Sequence, residues 1–200
     1  MILNKEMGSF FFLGVIVTTL PLPPDEPALD QCGACMLCIE ACPTQAIVEP
    51  RLVDSRRCLS YQTIELRGEL PEEHRVDLGD RVFGCDDCQE VCPWNRGDGA
   101  PEPGESRHFP ARPASTTPSL IDLLTMTHQQ YLEIFRGSAV KRATWPGLRR
   151  NAAAALGNAA SDGETLRLLQ RVAQDPQDEP IVRDQAAWSA DRIKRRLAGS

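Results

Sequence analysis

Eight cysteines carry the chemistry of this 200-residue chain. Four fall in the run Cys32-x2-Cys35-x2-Cys38-x3-Cys42, closed by Pro43. Three more form Cys85-x2-Cys88-x3-Cys92, closed by Pro93. Thiolate sulfur is a soft donor that suits iron–sulfur clusters and zinc. The first run has the bacterial ferredoxin spacing, in which three cysteines hold one [4Fe–4S] cluster and the fourth crosses to another. The second run is that pattern without its first member, because Val82 stands three residues before Cys85. Cys58 is the one thiol left over, and arithmetic makes it the substitute. The spacing thus predicts two ligand sets: Cys32, Cys35, Cys38 and Cys92 for one cluster, and Cys42, Cys58, Cys85 and Cys88 for the other. Paired clusters relay single electrons.

Two other fates for the thiols stay open at this point. Zinc would need two sets of four, such as Cys32/Cys35/Cys38/Cys42 and Cys58/Cys85/Cys88/Cys92. Structural zinc sites more often pair two Cys-x2-Cys knuckles across a longer loop. Four cysteines within eleven residues crowd one tetrahedral ion, and the proline after each run belongs to the ferredoxin pattern. Disulfides need an oxidising compartment, whereas ligand spacing fits a reducing one. Clusters and a cytoplasmic location are the expectation.

The rest of the chain must position these thiols. Residues 1–30 lead in and end in a proline-rich turn. Within them, residues 10–20 are apolar. That run is too short to span a bilayer. Pro21-Leu22-Pro23-Pro24 stands where a secretory signal would carry its small-residue cleavage site. A buried strand is expected there, with no membrane contact. Residues 31–95 form the cluster domain, with an insertion that holds Cys58. Residues 96–118 have the proline and glycine content of a linker.

Residues 119–200 read as helical. Ser119 caps a helix carrying Leu120, Leu123 and Leu124, and Thr127 caps one carrying Tyr131, Ile134 and Phe135. The eleven residues from Pro146 align with the eleven from Pro180 at an offset of 34. Proline, an apolar residue, arginine and then a small-residue face describe the second helix of a HEAT-like unit. Residues 164–172 supply an intervening helix, capped by Ser161 or Asp162. The predicted fold class is α+β: a ferredoxin-like domain with two [4Fe–4S] clusters, followed by an all-α HEAT-like domain.

Charge divides unevenly. Residues 1–135 hold 10 Lys/Arg against 21 Asp/Glu, and residues 136–200 hold 12 against 7. A basic tail on an acidic body points to an anionic partner. Arg136, Lys141, Arg142, Arg149 and Arg150 fall within fifteen residues that contain no acid. Such a run either binds phosphates or is a solvated helix face. Arg192, Lys194, Arg195 and Arg196 complement the dipole of a last helical turn. His74, His108 and His128 share no spacing, and no triad or P-loop is present. Trp94 fits a hydrophobic shield beside a cluster. Tyr61 and Glu65, after Cys58, either face a bound cofactor or order the Cys58 loop.

The motifs in this order resemble the C-terminal part of the epoxyqueuosine reductase family. Cys32–Pro43, Cys58-Leu59-Ser60-Tyr61, the run from Gly84 through Cys92-Pro93-Trp94-Asn95, and Lys141-Arg142 leading to the segment from Leu148 to Asn158 carry the likeness. The segments from Gly8 to Gly14 and Leu20 to Pro24 are similar to that part's approach. The resemblance covers nearly the whole chain. It implies reduction of epoxyqueuosine to queuosine at the tRNA wobble position, with cobalamin and two [4Fe–4S] clusters. It makes an external electron donor a partner. It turns Lys141, Arg142, Arg149 and Arg150 into contacts for the tRNA anticodon arm. The family's N-terminal half supplies most of the cobalamin site and a catalytic acid. Here residues 1–30 are its remnant, no catalytic residue is assigned, and a separate N-terminal half is a candidate partner. A stand-alone electron carrier and a tRNA-binding module with structural clusters are the alternatives.

Overall fold

The computed structural model describes residues 2–4, 6–30, 32–96 and 118–199. Most of the linker at 96–118, together with His108, lies outside the described residues.

The two cysteine runs fold alike. Each makes one short helical turn carrying its Cys-x2-Cys partner: α1 (Leu37–Glu40) holds Cys38, and α3 (Asp87–Glu90) holds Cys88. Each turn stops ahead of a Cys-Pro pair, because proline cannot continue a helix. α1 and α3 pack on each other. Between them runs a hairpin of β1 (Ile47–Glu49) and β2 (Leu52–Val53), antiparallel with Ile47 opposite Val53. Arg51 makes its turn at φ 70°. The hairpin delivers the chain to α2 (Leu59–Ile64), which begins immediately after Cys58. Leu59, Leu70 and Leu78 form a small core under α2.

The tail is helical, as its caps require. Ser119 accepts hydrogen bonds from the Ile121 and Asp122 amides at the start of α4 (Leu120–Thr125). Thr127 and Gln130 form a reciprocal capping box on α5 (His128–Ile134). A 3-10 turn, Ala139–Ala143, then leads to α6 (Trp145–Ala159), α7 (Gly163–Gln174) and α8 (Pro180–Ala198). Asp162 caps α7, and Pro146 and Pro180 both sit in first helical turns. α8 packs on α6 and α7, and α4 packs on α6. In coarse form the α+β reading holds: the described residues form a two-stranded sheet and, for the rest of their regular structure, helices.

α6 is buried on all sides. Ala152, Ala153, Ala154 and Ala155 are each 0% exposed. Ala152 and Ala153 face the core of the tail, while Ala154 joins the small core under α2. A helix buried around its whole circumference is a central one, and its buried Arg149, Arg150 and Asn151 must find partners there. At Gly157 the neighbouring helix comes so close that an added Cβ would lie 2.5 Å from Ser189 Oγ and 2.9 Å from Ser189 Cα. Gly157→Ala is therefore expected to cost about 1–3 kcal/mol through overpacking, read as a lowered thermal midpoint.

One expectation fails. Residues 10–20 form no strand and are not buried. Phe12 is 96% exposed and Val17 95%. The segment has the hydrophobicity of a buried strand, but among the described residues no strand pairs with it. The residues before it are anchored. Ser9 N donates to Asn95 Oδ1 at 2.7 Å, and Asn95 Nδ2 donates to Ser9 Oγ at 2.8 Å. Gly8, at φ 70°, lies against Trp94 and Asn95 so closely that a Cβ would sit 2.1 Å from Asn95 Oδ1. No described helix is long and apolar enough to cross a membrane.

Candidate metal centre

All eight cysteines are free thiols, so the disulfide alternative has no support in the structure. Their electrostatics divide them. Burial pushes the Cys38 thiol up, and the neighbouring charges of Cys32, Cys35 and Cys92 push it further. These four residues are the first expected ligand set. Burial likewise pushes Cys88 up to about 11, with further push from Cys85, Cys58 and Cys38. Cys85 and Cys58 belong to the second expected set, and the influence of Cys38 shows that the two groups adjoin. Thiolates brought together repel one another, and the positive charge of a bound iron core would offset that repulsion. The donor set therefore fits two clusters. Among the described residues, no group of three or more His, Cys, Asp or Glu side chains is arranged around one metal ion. Cys38 and Cys88 stand on α1 and α3, two turns that pack on each other, so the two groups of thiols are neighbours.

Cys42 is placed from the hairpin side. Its Sγ accepts the Ala46 amide at 3.1 Å. The Asp54 amide returns to Ala46 O at 2.8 Å, which brings the chain back toward Cys42 just before Cys58.

The second run is held by Arg81, whose Nη2 lies 2.7 Å from both carboxylate oxygens of Asp87. Asp87 raises the Arg81 pKa through that hydrogen bond. Thr63 Oγ1 accepts the Gly84 amide at 3.0 Å, tying α2 to the residue before Cys85. Val82, in the place of the absent cysteine, packs against the core of the tail.

Tyr61 and Glu65 separate. Tyr61 is exposed, whereas Glu65 pairs with Arg142 and lies 3.9 Å from Arg67. The residue that sequence reasoning overlooked is Gln62. Buried beneath α2, it donates to Arg56 O at 2.8 Å and contacts His74 Nδ1 at 2.6 Å. It thus ties down the turn that enters Cys58. Its signal was present, since a polar side chain four residues after Cys58 shares the helical face of that candidate ligand.

The basic run also separates. Lys141 and Arg142 are exposed on the 3-10 turn. Arg149 and Arg150 are not, and this corrects their expected place on a phosphate-binding surface. Arg149 forms a buried two-point ion pair with Asp178, at 2.5 and 2.6 Å, and lies over the Trp145 ring at 4.8 Å. Arg150 is 0% exposed. Its guanidinium donates to Gln62 O at 2.7 Å, to Leu66 O at 3.0 Å and to Gly68 O. Burial lowers its pKa to about 10, and Arg67 adds to the shift. Arg196 at the end of α8 also looks inward, donating to the last carbonyls of α6, Gly157 O at 3.2 Å and Asn158 O at 3.1 Å.

Residues 31–95 match a family described as a 4Fe-4S double cluster binding domain. The epoxyqueuosine reductase of Escherichia coli K12 is 44% identical over 99% of this chain and 51% of its own length. That of Shewanella oneidensis is 47% identical over 94% and 47%. A solved epoxyqueuosine reductase from Bacillus subtilis superposes with a TM-score of 0.85 at 34% identity, over 96% of this chain and 50% of its own. An epoxyqueuosine reductase crystallised with a tRNA-Tyr epoxyqueuosine-modified stem loop gives 0.77 at 34% identity, over 86% and 44%. The chain spans about half the length of the curated relatives it matches. The chain is thus similar to about half of the epoxyqueuosine reductases, and its residues 31–95 match a 4Fe-4S double cluster binding domain.

Proposed function

We propose that this chain is the electron-delivering and tRNA-docking part of an epoxyqueuosine reductase. The observation that carries it is the match of nearly the whole chain to half of such enzymes. Cys32, Cys35, Cys38 and Cys92 hold one cluster; Cys42, Cys58, Cys85 and Cys88 hold the other. Bound clusters supply one-electron transfer, fed by an external donor, and cobalamin supplies the reducing chemistry at the epoxide. This chain's residues keep the sulfurs in place, and Trp94 shields a cluster from water. Ferredoxin-like and HEAT-like describe the two parts at residues 31–95 and 119–200, in a cytoplasmic protein. Tyr61, exposed beside Cys58, is open to a cofactor, while Glu65 orders the turn through Arg142. Residues 1–30 are the margin of an N-terminal cobalamin-binding half. The exposed apolar side chains at 10–20 support that reading, since they need a surface to cover them.

The decisive experiment mixes the anaerobically purified chain with cobalamin, a reductant and an epoxyqueuosine-bearing stem loop, with and without a separately produced N-terminal half. Turnover is expected only when that half is present. Turnover by this chain alone would overturn the division of labour. Failure of the pair, with both clusters intact, would favour the electron carrier, a reading that the half-length match keeps in play.

For the RNA surface, Lys141 and Arg142 remain as phosphate contacts. Reversing both to glutamate should weaken binding of an anticodon stem loop. It should also flatten the dependence of log K on log salt by roughly 0.7 to 0.9 for each phosphate that is no longer neutralised. An unchanged slope, measured by fluorescence anisotropy across a salt series, removes these residues from the surface.

A further inference from the structure

With Val82 in place of a cysteine, the second ligand set recruits Cys58 from a different element. A cluster tolerates little error in ligand position, so that element must be fixed against the run at Cys85. We propose that Arg150 and Asn151 are positioning residues for the cluster held by Cys42, Cys58, Cys85 and Cys88. They join, from α6, the helix that starts at Cys58 to the segment that leads into Cys85. The proposal rests on the double-cluster reading above.

The carbonyls at the end of a helix have no partner within it. At the end of α2 two of them, Gln62 O and Thr63 O, are taken by α6, as are Leu66 O and Gly68 O just beyond it. Arg150 donates to Gln62 O, Leu66 O and Gly68 O, and Asn151 Nδ2 donates to Thr63 O at 2.8 Å. The same Asn151 nitrogen donates to Val82 O, also at 2.8 Å. One amide group thus bridges the two segments that carry Cys58 and Cys85. Arg150 holds that amide in turn, donating to Asn151 Oδ1 from Nε at 3.1 Å and from Nη2 at 2.8 Å. Both side chains are 0% exposed. The Arg150 fork is engaged with backbone carbonyls and one amide rather than with a carboxylate. A lysine, with its donors on one nitrogen, cannot span the same carbonyls. One turn further along α6, Ala154 packs in the group that includes Leu59 and Cys85.

The test uses the full chain with both clusters assembled anaerobically. Reduced-state EPR resolves the clusters, and Cys58→Ala and Cys92→Ala identify which signal belongs to which. Asn151→Ala and Arg150→Lys should change the line shape and midpoint potential of the signal absent from Cys58→Ala. They should also speed iron release from that cluster to a chelator by about 10-fold or more. The signal absent from Cys92→Ala should stay unchanged. Asn158→Ala is the control. On the same helix Asn158 donates to Arg75 O at 2.8 Å and Gly79 O at 3.0 Å, both farther along the chain from Cys85 than Val82 and neither joined to α2, so both signals should persist. Equal changes in both clusters, the same changes in Asn158→Ala, or two unaltered signals in Asn151→Ala would each overturn the proposal. If Arg150→Lys does not fold, Asn151→Ala, which removes a single amide, decides it. Fewer than two signals from the unsubstituted chain would remove the double-cluster reading and the proposal with it.

Discussion

Cys58→Ala should lose one cluster and keep the other. Two [4Fe–4S] clusters bring about eight irons per chain, so the variant should approach about four. The substitution is a clean one. Cys58 occupies the N-cap of α2, yet its side chain accepts no capping hydrogen bond. Removing the sulfur therefore leaves the local hydrogen bonds of the helix intact. What it removes is the thiol that, with Cys85 and Cys38, raises the Cys88 pKa. Iron and sulfide analysis with EPR of the reduced protein reads the result. Full iron content would show that Cys58 is no ligand and that the second set draws its fourth donor from elsewhere.

The largest loss of stability is expected from Arg149→Ala. Both partners of the Arg149–Asp178 pair have side chains only 8% exposed. Removing the arginine strands a buried carboxylate, which typically costs about 3–5 kcal/mol. Arg149 Nε also donates to Leu124 O at 2.7 Å, so α4, α6 and the turn before α8 all meet at this side chain. Replacing both charges with leucines of similar bulk should recover much of the loss, because no charge is then left unpaired. Urea unfolding followed by helical circular dichroism compares the variants. A loss within about 0.5 kcal/mol, the ordinary range for surface sites, would mean that water reaches Asp178.

The cysteine runs were readable because Cys-x2-Cys spacing is local, and the 4Fe-4S double cluster match spans both runs. Helix starts were readable for a similar reason. Ser119, Thr127, Asp162, Pro146 and Pro180 act within one turn of chain, and each stands where its helix begins. Arg149 and Arg150 were misread because a run of cations carries no mark of which way each points. Consecutive helical residues diverge by about 100°, so one arginine meets Asp178 and the other the end of α2. A clue was present in the alanines beginning at Ala152, since a helix so short of side chain is crowded on every side. Residues 10–20 show the opposite limit. Hydrophobicity states what a segment requires, whereas the surface that satisfies it lies outside the segment.

The Val82 exchange has a consequence for how such a protein can change over generations. A complete second cysteine run would leave a self-sufficient cassette, free to be cut out and passed between genes. Here Val82 is seated in the core of the tail, and its carbonyl is held by Asn151 of α6. Residues 31–95 transplanted alone would leave Val82 without that core and the end of α2 without its donors. The cassette and the helices behind it thus form one mechanical part, and a graft of the first without the second would lose the contacts that hold α2 and Val82.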